Sequence, residues 1–202
     1  MSYANDYLNA TAAIVNTVDC NQIEKIIDML TTIRSKKGRL FFLGVGGSAA
    51  NCTHAVNDFR KIGGFEAYSP VDNVAELTAR ANDEGWNTIF SGWLKGSNLN
   101  ANDAVVVLSV GGGNKEKNIS ANIVEALEYA KTKKAKIFGI VGRKDGYTAK
   151  VADVCIVMLE GNLTMLTPQA EAFQGIIWHL IVSDPRIMQM GNKWETTLAE
   201  MK

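Results

Sequence analysis

Three continuous apolar runs, each closing in a glycine or serine turn, constrain this chain more than any other feature: Leu40-Phe41-Phe42-Leu43-Gly44, Val105-Val106-Val107-Leu108-Ser109 and Ile137-Phe138-Gly139-Ile140-Val141-Gly142. A fourth, Val154-Cys155-Ile156-Val157-Met158, follows. Runs without apolar-polar alternation are what strands buried on both faces look like. Stretches with helical spacing separate them, of a length that suits right-handed crossovers between parallel strands. Helices are expected near 49–62, 86–95, 117–133 and 168–183, the last ending before Asp184-Pro185. Ahead of the first strand, Tyr7, Leu8, Ala12, Ile14, Val15, Val18, Ile23, Ile26, Ile27, Leu30 and Ile33 recur with a spacing of three or four residues. That spacing predicts one long N-terminal helix over 5–34, or two helices broken near Asp19-Cys20-Asn21. The expected class is α/β: a three-layer α-β-α sandwich around a doubly wound parallel sheet, with a long N-terminal helix.

With 202 residues and 47% hydrophobic content, the chain can bury one substantial core. A single domain over 1–202 is expected, with a helical segment over about 1–36 and a sheet core over about 37–185. Lysine and arginine total 21, matched by 21 acidic residues. No net field therefore draws the protein to nucleic acid or to a membrane surface. Cys20, Cys52 and Cys155 form neither a CxxC pair nor a disulfide framework. The first residues lack a basic start leading into an apolar run, and no apolar stretch approaches the ~20 residues of a membrane span. A cytoplasmic location is expected.

In an open parallel sheet, ligands collect beyond the carboxyl ends of the strands, where helix N-termini point unpaired N–H groups outward. Two turns suit that place: Gly44-Val45-Gly46-Gly47-Ser48 and Ser109-Val110-Gly111-Gly112-Gly113-Asn114. Glycine there permits positive φ and close approach of the backbone to an anion. A single such turn carries little weight, because tight turns need glycine whether or not anything binds. Two at equivalent strand ends carry more. No lysine follows the first loop as a nucleotide phosphate loop requires, and the dinucleotide pattern fails because Ala49 stands where its last glycine belongs. An anion smaller than a dinucleotide is expected, and a nucleotide-dependent oxidoreductase is disfavoured.

The two histidines, His54 and His179, both fall on expected helices. Asp58 follows His54 by one turn, so the pair shares a face and is able to hold a metal or share a proton. A lone helical histidine is otherwise a satisfied core or surface residue. Glu171 precedes His179 by eight residues, about 12 Å along one unbroken helix. Either one of them is not a ligand, or the site combines residues of different subunits. Trp86, Trp93 and Trp178 suit core or interface packing. Cys52 lies on a different helix face from His54, so a Cys/His nucleophile is not expected. Lys115-Glu116-Lys117 reads as a solvated helix start, with Lys115 a secondary candidate for a phosphate contact.

Gly46-Gly47-Ser48 with His54 six residues on, Ala81-Asn82-Asp83-Glu84-Gly85-Trp86-Asn87, and the strand leading into Ser109 together resemble the sugar isomerase (SIS) family, specifically its bacterial phosphoheptose isomerases. The resemblance covers nearly the whole chain. It implies the SIS fold and interconversion of sedoheptulose 7-phosphate and D-glycero-D-manno-heptose 7-phosphate, which supplies heptose for surface polysaccharide such as lipopolysaccharide or capsule. It also implies a homotetramer with active sites between subunits, and a bound zinc ion. It places substrate contacts at Val45, Gly46, Gly47, Ser48, Asn82, Asp83, Ser109, Val110, Gly111, Asn114 and Glu171. Metal ligands are implied at His54, Asp58, Glu171 and His179, and the catalytic acid-base groups at Asp58, Glu171 and His179.

The chain departs from the family pattern at four places. Val45 replaces an asparagine, Asp58 a glutamate and Glu171 a glutamine, and the second loop has glycines where the family has serine and threonine. An alternative is a non-catalytic SIS scaffold that binds a phosphosugar or the bacterial replication initiator.

Overall fold

The computed structural model describes residues 2–158, 165–193 and Thr197. Five strands, Leu40–Leu43 (β1), Ala67–Tyr68 (β2), Ala104–Ser109 (β3), Lys136–Val141 (β4) and Val154–Val157 (β5), form a sheet in the order β2-β1-β3-β4-β5. Every pairing is parallel, with Leu40 beside both Ala67 and Ala104. Every residue of β1 and β3 is buried, which explains the absence of alternation in their sequences.

Helices cover both faces. Because successive side chains point to opposite sides of a strand, Phe41 and Phe42 enter different cores. Phe42 joins Val106 and Ile140 under the helices Cys20–Ser35 (α2), Gly47–Lys61 (α3) and Leu166–Ser183 (α8). Phe41 joins Leu43 and Val107 under Ile89–Gly96 (α5) and Ala121–Thr132 (α6).

The N-terminal segment takes the second of its two expected forms. Tyr3–Val15 (α1) and α2 are separate helices, with Asp19 as the N-cap of α2, its Oδ1 accepting from the Asn21 N–H at 2.9 Å. Only Ile14 of α1 is buried, whereas α2 buries five isoleucine and leucine side chains. The side chain of Gln169 on α8 ties α1 down through Thr11 and the Tyr7 carbonyl.

Other boundaries shift by one or two residues, with two exceptions. The helix expected over 86–95 begins as a 3-10 turn, Trp86–Thr88, before α5. The one expected from 117 begins only at Ala121, because residues 114–119 close a small hairpin first. Among the described residues four elements have no counterpart in the sequence reading: β2, the 3-10 turn Pro70–Asp72, the helix Val74–Asp83 (α4) and the five-residue helix Tyr147–Val151 (α7). β2 is too short for its period to register, and α4 buries no residue.

This strand order places the topological switch between β1 and β3, where the chain first winds outward to β2 and then returns to wind the other way. Both glycine loops leave the sheet at that point, Gly44 directly after β1 and Val110 directly after β3.

Candidate functional site

The first loop is shaped by glycine at two positions for different reasons. A Cβ on Gly44 would lie 2.5 Å from the Ser48 carbonyl oxygen, so only a hydrogen fits there. Gly46 caps α3 with φ +65° and ψ −131°, a conformation that side chains with a Cβ rarely adopt. Val45 packs toward the α5–α6 core, which leaves its main chain to the loop. Ser48 is buried and its hydroxyl accepts from Gln174 Nε2 at 3.0 Å. The hydroxyl proton stays available for a further acceptor.

Helices α3 and α8 run side by side in the same direction, since their contacts advance together. Glu171 lies against Gly47, Gln174 bonds Ser48 and Asn51, and Trp178 with His179 reaches Asp58. Asn51 Nδ2 donates to both the Gln174 side chain, at 2.7 Å, and the Glu171 carbonyl, at 2.9 Å. Gln174 was not foreseen. The available signal was a buried amide on the apolar stripe Ala170, Phe173, Ile177, Trp178 and Ile181.

Two turns along α3, the structure gathers His54, Asp58 and His179. One ligating atom from each lies within 4.8 Å of the others. Asp58 Oδ2 is 3.5 Å from His54 Nε2 and 3.2 Å from His179 Nε2. The Asp58 carboxylate is nearly inaccessible, and it accepts from Trp178 Nε1 at 3.2 Å and from Asn57 Nδ2 at 3.0 Å. Both imidazoles are about half exposed and meet edge to face with centroids 5.2 Å apart.

His179 Nδ1 lies 2.8 Å from the Gly175 carbonyl oxygen. A carbonyl only accepts, so Nδ1 carries the proton, and the Nε2 lone pair is left facing a carboxylate. Two acceptors in that position call for a proton or a cation between them. Two imidazoles and one carboxylate, with the outer nitrogen of His179 anchored on a carbonyl, fit the donor preferences of zinc.

Glu171 is not part of this group. It shares the unbroken helix α8 with His179 but sits two turns earlier, half-buried, with its carboxylate over Gly47. As a fourth ligand within one subunit it is displaced by the helical rise, about 12 Å for eight residues.

The second loop is wired to the strand beside it. Ser109 is buried and its Oγ accepts from the Gly112 N–H at 3.0 Å. The carbonyls of Val110, Gly112 and Gly113 accept from Gly142, Thr148 and Tyr147, and Gly112 and Gly113 have φ of +71° and +79°. With the carbonyls turned that way, the N–H groups of Gly111 and Gly113 make no hydrogen bond among the described residues. Asn114 Oδ1 caps the hairpin by accepting from the Lys117 N–H.

Asn82 and Asp83 lie at the exposed end of α4, bonded to each other rather than to either loop. Lys115 is engaged by Glu128. Burial raises the thiol of Cys52 far above the ordinary cysteine range and that of Cys155 up to about 12, so neither is a nucleophile. Trp93 packs on Phe41 at 5.6 Å and Trp86 is half exposed.

A family model described as the SIS domain matches residues 2–142. The chain belongs to the SIS domain family. A probable phosphoheptose isomerase of Thermoplasma volcanium is 31% identical over 171 residues, covering 82% of this chain and 83% of that protein. The phosphoheptose isomerase of Rhodospirillum rubrum is 28% identical over 178 residues, covering 85% and 89%. The SIS fold itself is seen in the phosphoheptose isomerase GmhA of Neisseria gonorrhoeae, which superposes with a TM-score of 0.77 at 20% identity, over 89% of this chain and 94% of that one. Among the described residues, no helix of this SIS domain is long and apolar enough to cross a membrane.

Proposed function

We propose that the protein is a phosphosugar isomerase that interconverts sedoheptulose 7-phosphate and D-glycero-D-manno-heptose 7-phosphate in the cytoplasm, supplying heptose for surface polysaccharide. The observation that carries this reading is the convergence of His54, Asp58 and His179 beside the first glycine loop, in a chain similar to phosphoheptose isomerases. Gly46, Gly47 and Ser48 hold the sugar through main-chain N–H groups and one hydroxyl.

Isomerisation through an enediol needs a base for the proton on the carbon beside the carbonyl and an acid for the carbonyl oxygen. Asp58 is occupied by Trp178 and Asn57, whereas the Glu171 carboxylate stands at the loop. Glu171 therefore takes the proton from C1 of the ketose, and a His179 brought to the same site by a neighbouring subunit gives one to the oxygen on C2. The C1 hydroxyl proton then passes to His179 as Glu171 delivers its proton to C2, and the aldose leaves with both groups restored. Where zinc is held by His54, Asp58 and His179, it would polarise the carbonyl and stabilise enediolate charge in place of the proton from His179.

The exposed apolar side chains Tyr3, Leu8 and Val15 on α1, and Ile176 and Leu180 flanking His179 on α8, support a homotetramer of single SIS domains with the site between subunits. In that arrangement Asn82 and Asp83 serve a neighbouring site.

The test is to follow C1 and C2 of sedoheptulose 7-phosphate by NMR, with and without added zinc. An aldoheptose 7-phosphate signal that disappears in His179→Gln, with assembly and ligand binding intact, is the expected result. Absence of turnover together with thermal stabilisation by the sugar phosphate would replace this reading with a binding-only scaffold.

A further inference from the structure

The hairpin between the second glycine loop and α6 is a built feature. Asn114 and Ile119 exchange main-chain hydrogen bonds of 2.8 and 3.0 Å, and the Asn114 side chain closes the turn from inside through the Lys117 N–H. Asn118 and Ser120 both take positive φ, +51° and +48°, a region that few residues with a Cβ enter, asparagine more readily than serine. The result brings Lys117 to a cavity of about 210 Å³ whose lining includes Gly111, Gly113, Asn114, Arg143 and Asp145.

The charges there favour an anion. Arg143 forks onto Asp145, donating from Nε at 2.8 Å and from a terminal nitrogen at 2.7 Å. The fork neutralises the carboxylate and leaves the rest of the guanidinium's donors free. Lys117, unlike Lys115, has no ion-pair partner among the described residues, so the lining is left with one net positive charge. Two unbonded N–H groups, Gly111 and Gly113, belong to the same cavity. The Ser109 hydroxyl accepts from the loop's own main chain, which leaves its proton for a further acceptor.

We propose that Lys117 and Arg143 recognise the phosphate group of the substrate in this cavity, with the Gly111 and Gly113 N–H groups, and so decide specificity at the phosphate end. The proposal rests on the sugar-phosphate reading of the site but not on turnover. A dianionic phosphate matches a mixed set of main-chain donors and two cations, one of them planar and oriented by its own carboxylate partner.

Inorganic phosphate is the probe, titrated calorimetrically into the intact protein. Lys117→Met is expected to weaken its binding roughly tenfold or more, the scale of a charge-assisted hydrogen bond. Arg143→Met made together with Asp145→Asn, which keeps the net charge constant, should do the same. Both should raise KM for sedoheptulose 7-phosphate by similar factors. Lys131→Met, an exposed lysine near the end of α6, should change nothing. Unchanged phosphate affinity in the two cavity variants, or no binding to the wild type, overturns the proposal. A protein that binds phosphate through Lys117 yet turns nothing over would remove the isomerase reading and keep this one.

Discussion

Gly44 and Gly47 stand three residues apart in one loop, yet a methyl group at each meets different material. At Gly44 it meets the Ser48 carbonyl at 2.5 Å, main chain that cannot move without unwinding the start of α3. At Gly47 it meets the end of the Glu171 side chain, which can swing away. Gly44→Ala is therefore expected to destabilise by about 3 kcal/mol in urea unfolding, and Gly47→Ala by less than about 1 kcal/mol. Gly47→Ala should instead lower turnover, because the displaced group is the proposed base. Trp178→Phe keeps most of the packing and removes the indole donor to Asp58. Its expected cost is about 2 kcal/mol with a loss of zinc affinity, read by unfolding and by metal titration. At this scale the loops, His54, Asp58 and His179 were legible, since glycine turns and i,i+4 spacing are local. Gln174 and the indole bond were not, because a buried amide or tryptophan declares its partner only once α8 lies along α3.

At the scale of elements, Asp103 holds the two central strands in register. Its carboxylate is buried and accepts from the Arg39 main-chain N–H, from the Arg39 guanidinium and from the Asn100 N–H, at the starts of β1 and β3. Asp103→Ala takes the carboxylate from Arg39, which keeps only the Ser97 and Asn98 carbonyls, and leaves two N–H groups without their acceptor, so a loss on the order of 3 kcal/mol is expected by denaturant unfolding. The site lies at the opposite end of these strands, so activity below the melting transition should be retained. Strands buried on both faces were legible as unbroken apolar runs. α4 was not, for it buries nothing. The late start of α6 was also hidden, because the Asn114–Ile119 hairpin depends on cross-chain main-chain bonds, not on residue spacing.

For the whole molecule, α1 leaves Tyr3, Leu8 and Val15 to solvent, and α8 does the same with Ile176 and Leu180 on either side of His179. Leu180→Glu is expected to shift the protein to smaller species in sedimentation velocity and to reduce turnover in parallel, while the far-ultraviolet circular dichroism is retained. Loss of assembly with full turnover would make the site complete within one subunit. The sequence alone determined the layered α/β class and the two glycine loops at strand ends, because burial on both faces and tight turns write themselves into neighbouring residues. Only the tertiary structure decided that His54, Asp58 and His179 meet while Glu171 stays at Gly47, and that Lys117 and Arg143 share a cavity. Those placements follow from the parallel course of α3 and α8 and from the pairing of β3 with β4, which relate residues far apart along the chain.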